Sequence, residues 1–323
     1  MSEESRSDIR GRLRHGTPLV LDAAMGSDLD RRGLPTTLPL WSAVGLLKRP
    51  DLVRQIHLEN LLAGADIITT DTFRTTARTL RKAGLDPARA PELDALAVRL
   101  AVEARTEARR PESSIAGSIA PLEDCYLPTF ETPPEVALTE HRAQVGNLAA
   151  ARVDLIMVET MPTAAEAEIA LRAAVETGRP ATVGFVCAMP DPGEPVRLLS
   201  GETLNDAVAR VSPLAPAAIF VNCAAPPVIT AALRELRELT IVPIGAYANV
   251  GHVDDERGWS PDGGITGERY AEHAAEWIAA LDRHAARCLI GSACRQRLAW
   301  PHGSGPIGQA VAGAGFRDAS GCH

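Results

Sequence analysis

The sequence predicts an α/β fold, a single parallel (β/α)8 TIM barrel. Three observations lead there. Short apolar runs recur along the 323 residues, amphipathic helical patterns separate them, and the runs tend to stop on a polar residue. Parallel neighbours must be joined by crossovers, which alternating strand and helix patterns supply. Polar residues at the carboxyl ends of barrel strands converge on one rim, where such barrels keep their chemistry.

In chain order, residues 19–21 form the first strand, ending in Asp22 and the small-residue turn Ala23-Ala24-Met25-Gly26. Residues 50–63 place Leu52, Val53, Ile56 and Leu62 at helical spacing, and Pro50 suits a helix start. Residues 65–70 are short and β-branched, and Asp71-Thr72-Phe73 follows them. A helix over 91–109 leads to a third strand, 114–118, which ends on Ser118. A helix over 136–151 precedes strand 155–158, which stops at Glu159. An alanine-rich helix, 164–177, precedes strand 181–186, which stops at Cys187. The sixth strand, 217–223, reads AAIFVNC and ends abruptly in Asn222 and Cys223. A cysteine where a buried strand stops is held rigidly at the rim, where it can bind a metal or a thiol. Helix 227–239, strand 241–246 with Tyr247 and Asn249 beyond it, helix 268–287 and strand 288–291 complete the eight units. The run 287–294 also closes on a cysteine, so neighbouring strand ends would set Cys223 and Cys294 face to face.

Composition agrees with one domain over 1–323, preceded by a polar segment, 1–16, and closed by a tail, 295–323. With 46% hydrophobic and 23% charged residues, the chain is long enough to bury a large core. Lys+Arg 33 against Asp+Glu 41 gives a net charge of -8, which argues against a nucleic-acid partner. The first residues lack an apolar signal region, and no apolar run approaches the roughly 20 residues of a membrane span. A cytoplasmic protein without a membrane partner is the expectation. Six cysteines, at 125, 187, 223, 288, 294 and 322, are spread along a mid-sized chain and read as thiols or ligands rather than disulfides.

Several motifs are set aside. A doubly wound sheet would carry a glycine-rich phosphate turn after strand one, and residues 22–26 lack its spacing. Gly303-Ser304-Gly305-Pro306-Ile307-Gly308 spells G-x-G-x-x-G but follows no strand. No P-loop, H-x-H or H-E-x-x-H occurs. Asp254-Asp255-Glu256 beside Gly258 reads as a solvated loop.

Six segments, in this order, resemble the homocysteine S-methyltransferase family: LDAAMGSDL from Leu21, GADIITTDTF from Gly64, GSIAP from Gly117, Val158-Glu159-Thr160, Val221-Asn222-Cys223 and GAYAN from Gly245. The resemblance runs from about Leu19 to Gly291. It implies a barrel in which zinc, held by three cysteines, binds the homocysteine thiolate for attack on a methyl donor, giving methionine. A free thiol with pKa near ~8.5 is mostly protonated at neutral pH, and zinc coordination removes that proton. By the same resemblance Asp22 and Glu159 bind the substrate's amino group, Thr72 lines the homocysteine site beside Asn222, and Cys223 is the first zinc ligand. Asp71 stands where relatives usually have asparagine and adds negative charge beside the substrate.

The last strand departs from the family pattern Gly-Gly-Cys-Cys-Gly. Here it is Gly291-Ser292-Ala293-Cys294-Arg295, so Cys294 matches the second cysteine while Ala293 replaces the first. Catalytic zinc usually has three protein ligands and an open position, and two remain. His302, Cys322, His323 or water could complete the set. Cys187 and Cys288 read as small buried hydrophobes. Three readings stay open: a zinc-dependent thiol methyltransferase using a small sulfonium donor such as S-methylmethionine or S-adenosylmethionine; a metal-free relative acting on another amino-acid-like molecule; and a noncatalytic binding protein.

Overall fold

Eight short aliphatic and β-branched runs pair side by side, all parallel, in a closed barrel. They are β1 (Leu19–Ala23), β2 (Ile67–Thr69), β3 (Ser114–Ile119), β4 (Leu155–Met161), β5 (Ala181–Phe185), β6 (Ala218–Ala224), β7 (Ile244–Ala248) and β8 (Cys288–Ser292). The computed structural model describes residues 9–15, 18–189, 194–249, 252–254, 258–260, 265–282 and 288–292. Closure is made by β8, where Ile290 stands opposite Ala246 of β7 on one side and Val20 of β1 on the other.

Helices carry the chain from each strand to the next, the longest described in each crossover being α1 (Pro50–Leu62), α2 (Ala90–Glu107), α3 (Pro134–Ala150), α4 (Ala164–Glu176), α5 (Leu204–Val211), α6 (Pro226–Leu239) and α7 (Gly267–Asp282). Proline occupies the first turn of α1, α2, α3 and α6, where its missing N–H costs nothing. The Thr163 and Thr203 hydroxyls cap α4 and α5 by accepting from the amides of Glu166 and Asp206. No helix among the described residues is long and apolar enough to cross a membrane.

The apolar residues form two main layers. Ile68, Ile115, Val158, Val183 and Val221 point outward and pack with Ala101, Leu148, Ala170 and Leu233 of the helices. Leu19, Leu21, Ile67, Ala116, Leu155, Met157 and Phe220 fill the barrel interior. A short helix before the barrel, Ile9–His15, adds Ile9 and Leu13 to that interior cluster. Arg10 donates to Ala215 O (3.1 Å) and Arg12 to Ser114 Oγ (3.1 Å), both beside strand starts. The segment expected to be merely polar therefore plugs the end of the barrel where its strands begin.

Side chains reinforce a short backbone ladder at the seam between β1 and β2, where the Asp66 amide also donates to Val20 O (2.8 Å). Their register has the single pair Leu21 and Ile67. Asp66 Oδ2 accepts the Val20 amide (2.9 Å) at one end, and Asp22 Oδ2 accepts the Thr69 amide (2.8 Å) at the other. The same device recurs two strands on, where Asp154 Oδ2 accepts the amide of Ile115 (2.8 Å).

Three expectations change. The seventh strand begins at Ile244 rather than at residue 241, and Ile241 is fully exposed. Pro243 has no N–H for the ladder and biases the residue before it, so pairing starts after it. The sequence gives no element between Cys187 and residue 217, yet α5 lies there, together with a hairpin pairing Cys187–Ala188 with Arg197–Leu198. Of the run read as a solvated loop, Asp254 instead ends a strand, His252–Asp254, paired with Gly258–Ser260; Asp255 and Glu256 lie outside the described residues.

Gly184 of β5 leaves room for a neighbour: a Cβ there would lie 2.1 Å from the Phe220 ring. Phe220 in turn packs on Tyr247, ring centroids 5.8 Å apart. Gly184→Ala is expected to lower unfolding free energy by about 1–3 kcal/mol, read as a lower urea midpoint with an unchanged m-value.

Candidate functional site

Every barrel strand delivers its last residues to one rim, and there the chain encloses a cavity of about 610 Å³. Asp22, Thr69, Thr70, Asp71, Ser118, Glu159, Thr160, Cys223, Tyr247 and Asn249 reach it from strand ends. Trp41 and Ser42 close it on the β1 side, and Cys125 and Tyr126 on the β3 side.

The thiol is positioned by two backbone irregularities. The registers of β4 and β6 shift between Val158 and Met161 and between Asn222 and Ala224. At these bulges Thr160 and Cys223 take φ of 60° and 54°, a left-handed conformation that costs a residue with a Cβ roughly 1–3 kcal/mol. One amide locks both. Asn222 Nδ2 donates to Thr160 Oγ1 (2.7 Å) and to Cys223 Sγ (3.2 Å), while its Oδ1 accepts the Thr160 amide (3.2 Å). Thr160 Oγ1 lies 3.5 Å from the same sulfur. Asn249 Nδ2 (2.9 Å) and Tyr126 OH (3.4 Å) donate to the Cys223 carbonyl.

Two carboxyls line the same cavity as this thiol, and among the described residues neither meets a cation. Asp22 Oδ2 takes the Thr69 amide and Oδ1 its hydroxyl (3.0 Å), while Glu159 takes hydroxyl donors from Ser118 and Tyr247. An ionised carboxylate has about four lone-pair sites, so each retains acceptor capacity toward the cavity. Neither joins an ion pair among the described residues. Burial pushes Asp22 up to about 7 despite the Thr69 hydrogen bonds, with Glu159 adding to the rise. Burial also raises Glu159, against its bonds to Ser118 and Tyr247. A helix cap or a barrel arginine does not account for Glu159: its partners are two hydroxyls.

Burial pushes the Cys223 thiol up to about 12, with Glu159 adding to the rise and Thr160 and Asn222 opposing it. Left to these neighbours it is protonated at neutral pH, and it becomes a thiolate only when a cation joins it. The described residues contain no group of three His, Cys, Asp or Glu side chains able to hold a metal. The described residues alone therefore do not make a zinc site. Cys294 lies outside the described residues, as do Ala293, Arg295, His302, Cys322 and His323. The described part of β8 stops at Ser292, paired with Ala248 of β7, and Ala248 also pairs with Ala224 beside Cys223.

Of the residues selected from sequence, Asp22, Glu159 and Cys223 meet in the cavity. Thr72 does not line it: fully buried, its hydroxyl donates to Ser118 O (2.8 Å) and meets Thr70 Oγ1 (2.9 Å), bracing β2 against β3. Asn222 is likewise fully buried and serves the thiol and its bulge instead of the cavity surface. Cys187 is a buried thiol outside the lining, as expected; the Cys288 side chain lies outside the described residues. Sequence reasoning passed over Thr160, Tyr126 and Cys125, the last a buried thiol in the cavity wall. Thr160 adjoins Glu159 in a matched segment, but only the bulge reveals its role.

A family model described as homocysteine S-methyltransferase matches residues 19–299. The homocysteine S-methyltransferase of Escherichia coli (strain K12) is 33% identical over 291 residues, covering 86% of this chain and 91% of that protein. Homocysteine S-methyltransferase YbgG of Bacillus subtilis (strain 168) is 30% identical over 294 residues, with coverage of 86% and 90%. The crystal structure of the homocysteine methyltransferase MmuM from Escherichia coli in a metallated form superposes with TM-score 0.73 at 29% identity, covering 94% of this chain and 98% of that one.

The raised carboxyl of Asp22 has a consequence for stability. Its folded pKa, about 7, exceeds the ordinary 3.8, so the folded state holds the proton more tightly. Its contribution is full below pH ~4 and is lost as pH rises through ~7, by at most about 1.4 kcal/mol per pH unit. Asp22→Asn can keep both Thr69 contacts, because the Thr69 hydroxyl can rotate to accept. Urea denaturation from pH 4 to 8 is expected to show wild type losing stability relative to this variant as pH rises.

Proposed function

The chain belongs to the homocysteine S-methyltransferase family, and from that premise we propose that it transfers a methyl group from a small sulfonium amino acid to the thiol of homocysteine, giving methionine. The observation that carries this reading is the cavity that gathers Asp22, Glu159 and Cys223 on one barrel rim. In the transfer, the acceptor sulfur, having given its proton to solvent, forms a bond to the methyl carbon. The carbon–sulfur bond to the donor's positive centre breaks, and the donor leaves as a neutral thioether.

The chain's own residues supply position. Asp22 and Glu159, two acids without a cation, hold the α-ammonium of homocysteine, and Ser118, Thr69 and Tyr247 fix their oxygens. Asn222 and Thr160 aim the Cys223 sulfur and donate to it when it is anionic. Cys223 and Cys294 are the residues that would hold zinc, and zinc bound there would supply the charge that makes a substrate thiol a thiolate at neutral pH. A metallated form of a similar protein supports a metal in this barrel.

The test is methionine formation from homocysteine with S-methylmethionine or S-adenosylmethionine, measured by mass spectrometry beside elemental analysis of the purified protein. About one zinc per chain and turnover are expected, both lost in Cys223→Ser; turnover that survives this substitution sinks the assignment of Cys223. Glu159→Gln is expected to raise the homocysteine KM by about tenfold or more, the scale of a lost charge-assisted bond.

A further inference from the structure

Asp71 follows β2 and is a buried carboxyl that, among the described residues, makes no hydrogen bond of good geometry and no ion pair. It is 2% exposed, it lines the cavity, and neither of its oxygens receives a hydrogen bond. Other buried or half-buried aspartates show what this chain ordinarily provides. Asp28 is met by Arg31 and Arg32, and Asp154 by Arg105 and the Ile115 amide. Asp94, with no cation, takes Thr75 Oγ1 and Asn147 Nδ2. The Ser42 hydroxyl lies beside Asp71 and favours the anion, and the backbone of Gly45 is adjacent, where an added Cβ would lie 3.5 Å from Oδ2. Arg74, three residues on, is engaged elsewhere: it donates to Glu123 O (2.7 Å) and lies over the Phe73 ring at 5.2 Å.

The position is distinct from that of the acids near the thiol. Glu159 perturbs both Asp22 and Cys223, whereas burial is what pushes Asp71 up to about 6, against the neighbouring Ser42 hydroxyl. It is therefore mostly ionised at neutral pH. The cavity, about 610 Å³, is in the range of drug-sized ligand sites, roughly 300–1,000 Å³, and is ample for two small amino acids. A buried carboxylate lacking hydrogen bonds is costly, and its missing partners are N–H or O–H donors. A primary ammonium brings three such donors and a charge. A sulfonium or a quaternary ammonium brings the charge alone.

Resting on the methyl-transfer reading above, we propose that Asp71 is a second cation subsite that takes the α-ammonium of the sulfonium amino acid, apart from the Asp22 and Glu159 end that takes the acceptor. The subsite sorts donors by their amino group.

Titration calorimetry without any thiol tests it, using S-methylmethionine and its des-amino analogue 4-(dimethylsulfonio)butanoate against wild type and Asp71→Asn. Wild type is expected to prefer the amino acid by about tenfold or more. Asp71→Asn should bind the two within about threefold of each other while its affinity for the analogue stays within about threefold of wild type. S-Adenosylmethionine beside its own des-amino analogue separates the two sources, since the true donor shows the Asp71-dependent preference. A wild-type ratio near one for both pairs overturns the inference without recourse to any variant. So does an undiminished preference in Asp71→Asn. Preference without methionine formation would leave the subsite standing and end the methyl-transfer reading; methionine formation with no preference would do the reverse.

Discussion

The barrel depends on a seam that its backbone barely makes. A parallel sheet closes only if its first strand pairs on both sides, and β1 meets β2 through one register pair. Asp66 and Asp22 extend it by accepting the amides of Val20 and Thr69, beside the backbone bond from the Asp66 amide to Val20 O. Asp22 is thereby bound to the fold and to the cavity at once. Its carboxyl cannot turn away from the rim without giving up both Thr69 bonds across the seam, which keeps an acid in so apolar a setting oriented. The interior layer behind it, Leu21, Met157 and Phe220, excludes water and raises its affinity for a proton. One residue thus links closure, packing and electrostatics.

The sulfur is held by a similar economy. Bulges at the ends of β4 and β6 re-aim side chains that a regular strand would point alternately in and out. Thr160 and Cys223 both take the left-handed conformation, and Asn222 bonds to both residues at the bulges. Neither residue relaxes independently of the other. Strain of this kind persists where surrounding bonds over-determine it, and here those bonds converge on a thiol at the cavity wall.

What the sequence revealed and what it hid follow from range. All eight strands were legible, because each is a burst of aliphatic residues between helices and periodicity is a local signal. The strand-end acids Asp22 and Glu159 and the thiol of Cys223 were legible for the same reason, as the positions where apolar runs stop. Two features were not. Helix α5 spans only eight residues, too few for a period to show, although Thr203 and Asp206 spell its capping box. Thr72 and Asn222 sit at the right rim but turn into hydrogen bonds across strands, to Ser118 O and to Thr160 and Cys223, and only the paired structure shows such partners. Asp71 was visible as an unusual acid; that it is unpartnered is a property of its neighbours.

The distribution of charge in the cavity suits the proposed chemistry. When a thiolate attacks a sulfonium, opposite charges cancel along the path, so the transition state is less polar than the bound reactants. Polar groups set at the reacting sulfur would hold the separated charges and slow the reaction, whereas an apolar wall favours their collapse. Charge that stays constant, such as an ammonium on each amino acid, can be bound tightly at no cost to the barrier. Asp22 and Glu159, and Asp71 beside Ser42 on the same cavity, meet that requirement when each end faces an ammonium. Met157 and Tyr247 furnish uncharged surface in the same cavity. The acids then fix the two ends of the reacting pair and leave the methyl group between them to apolar surroundings.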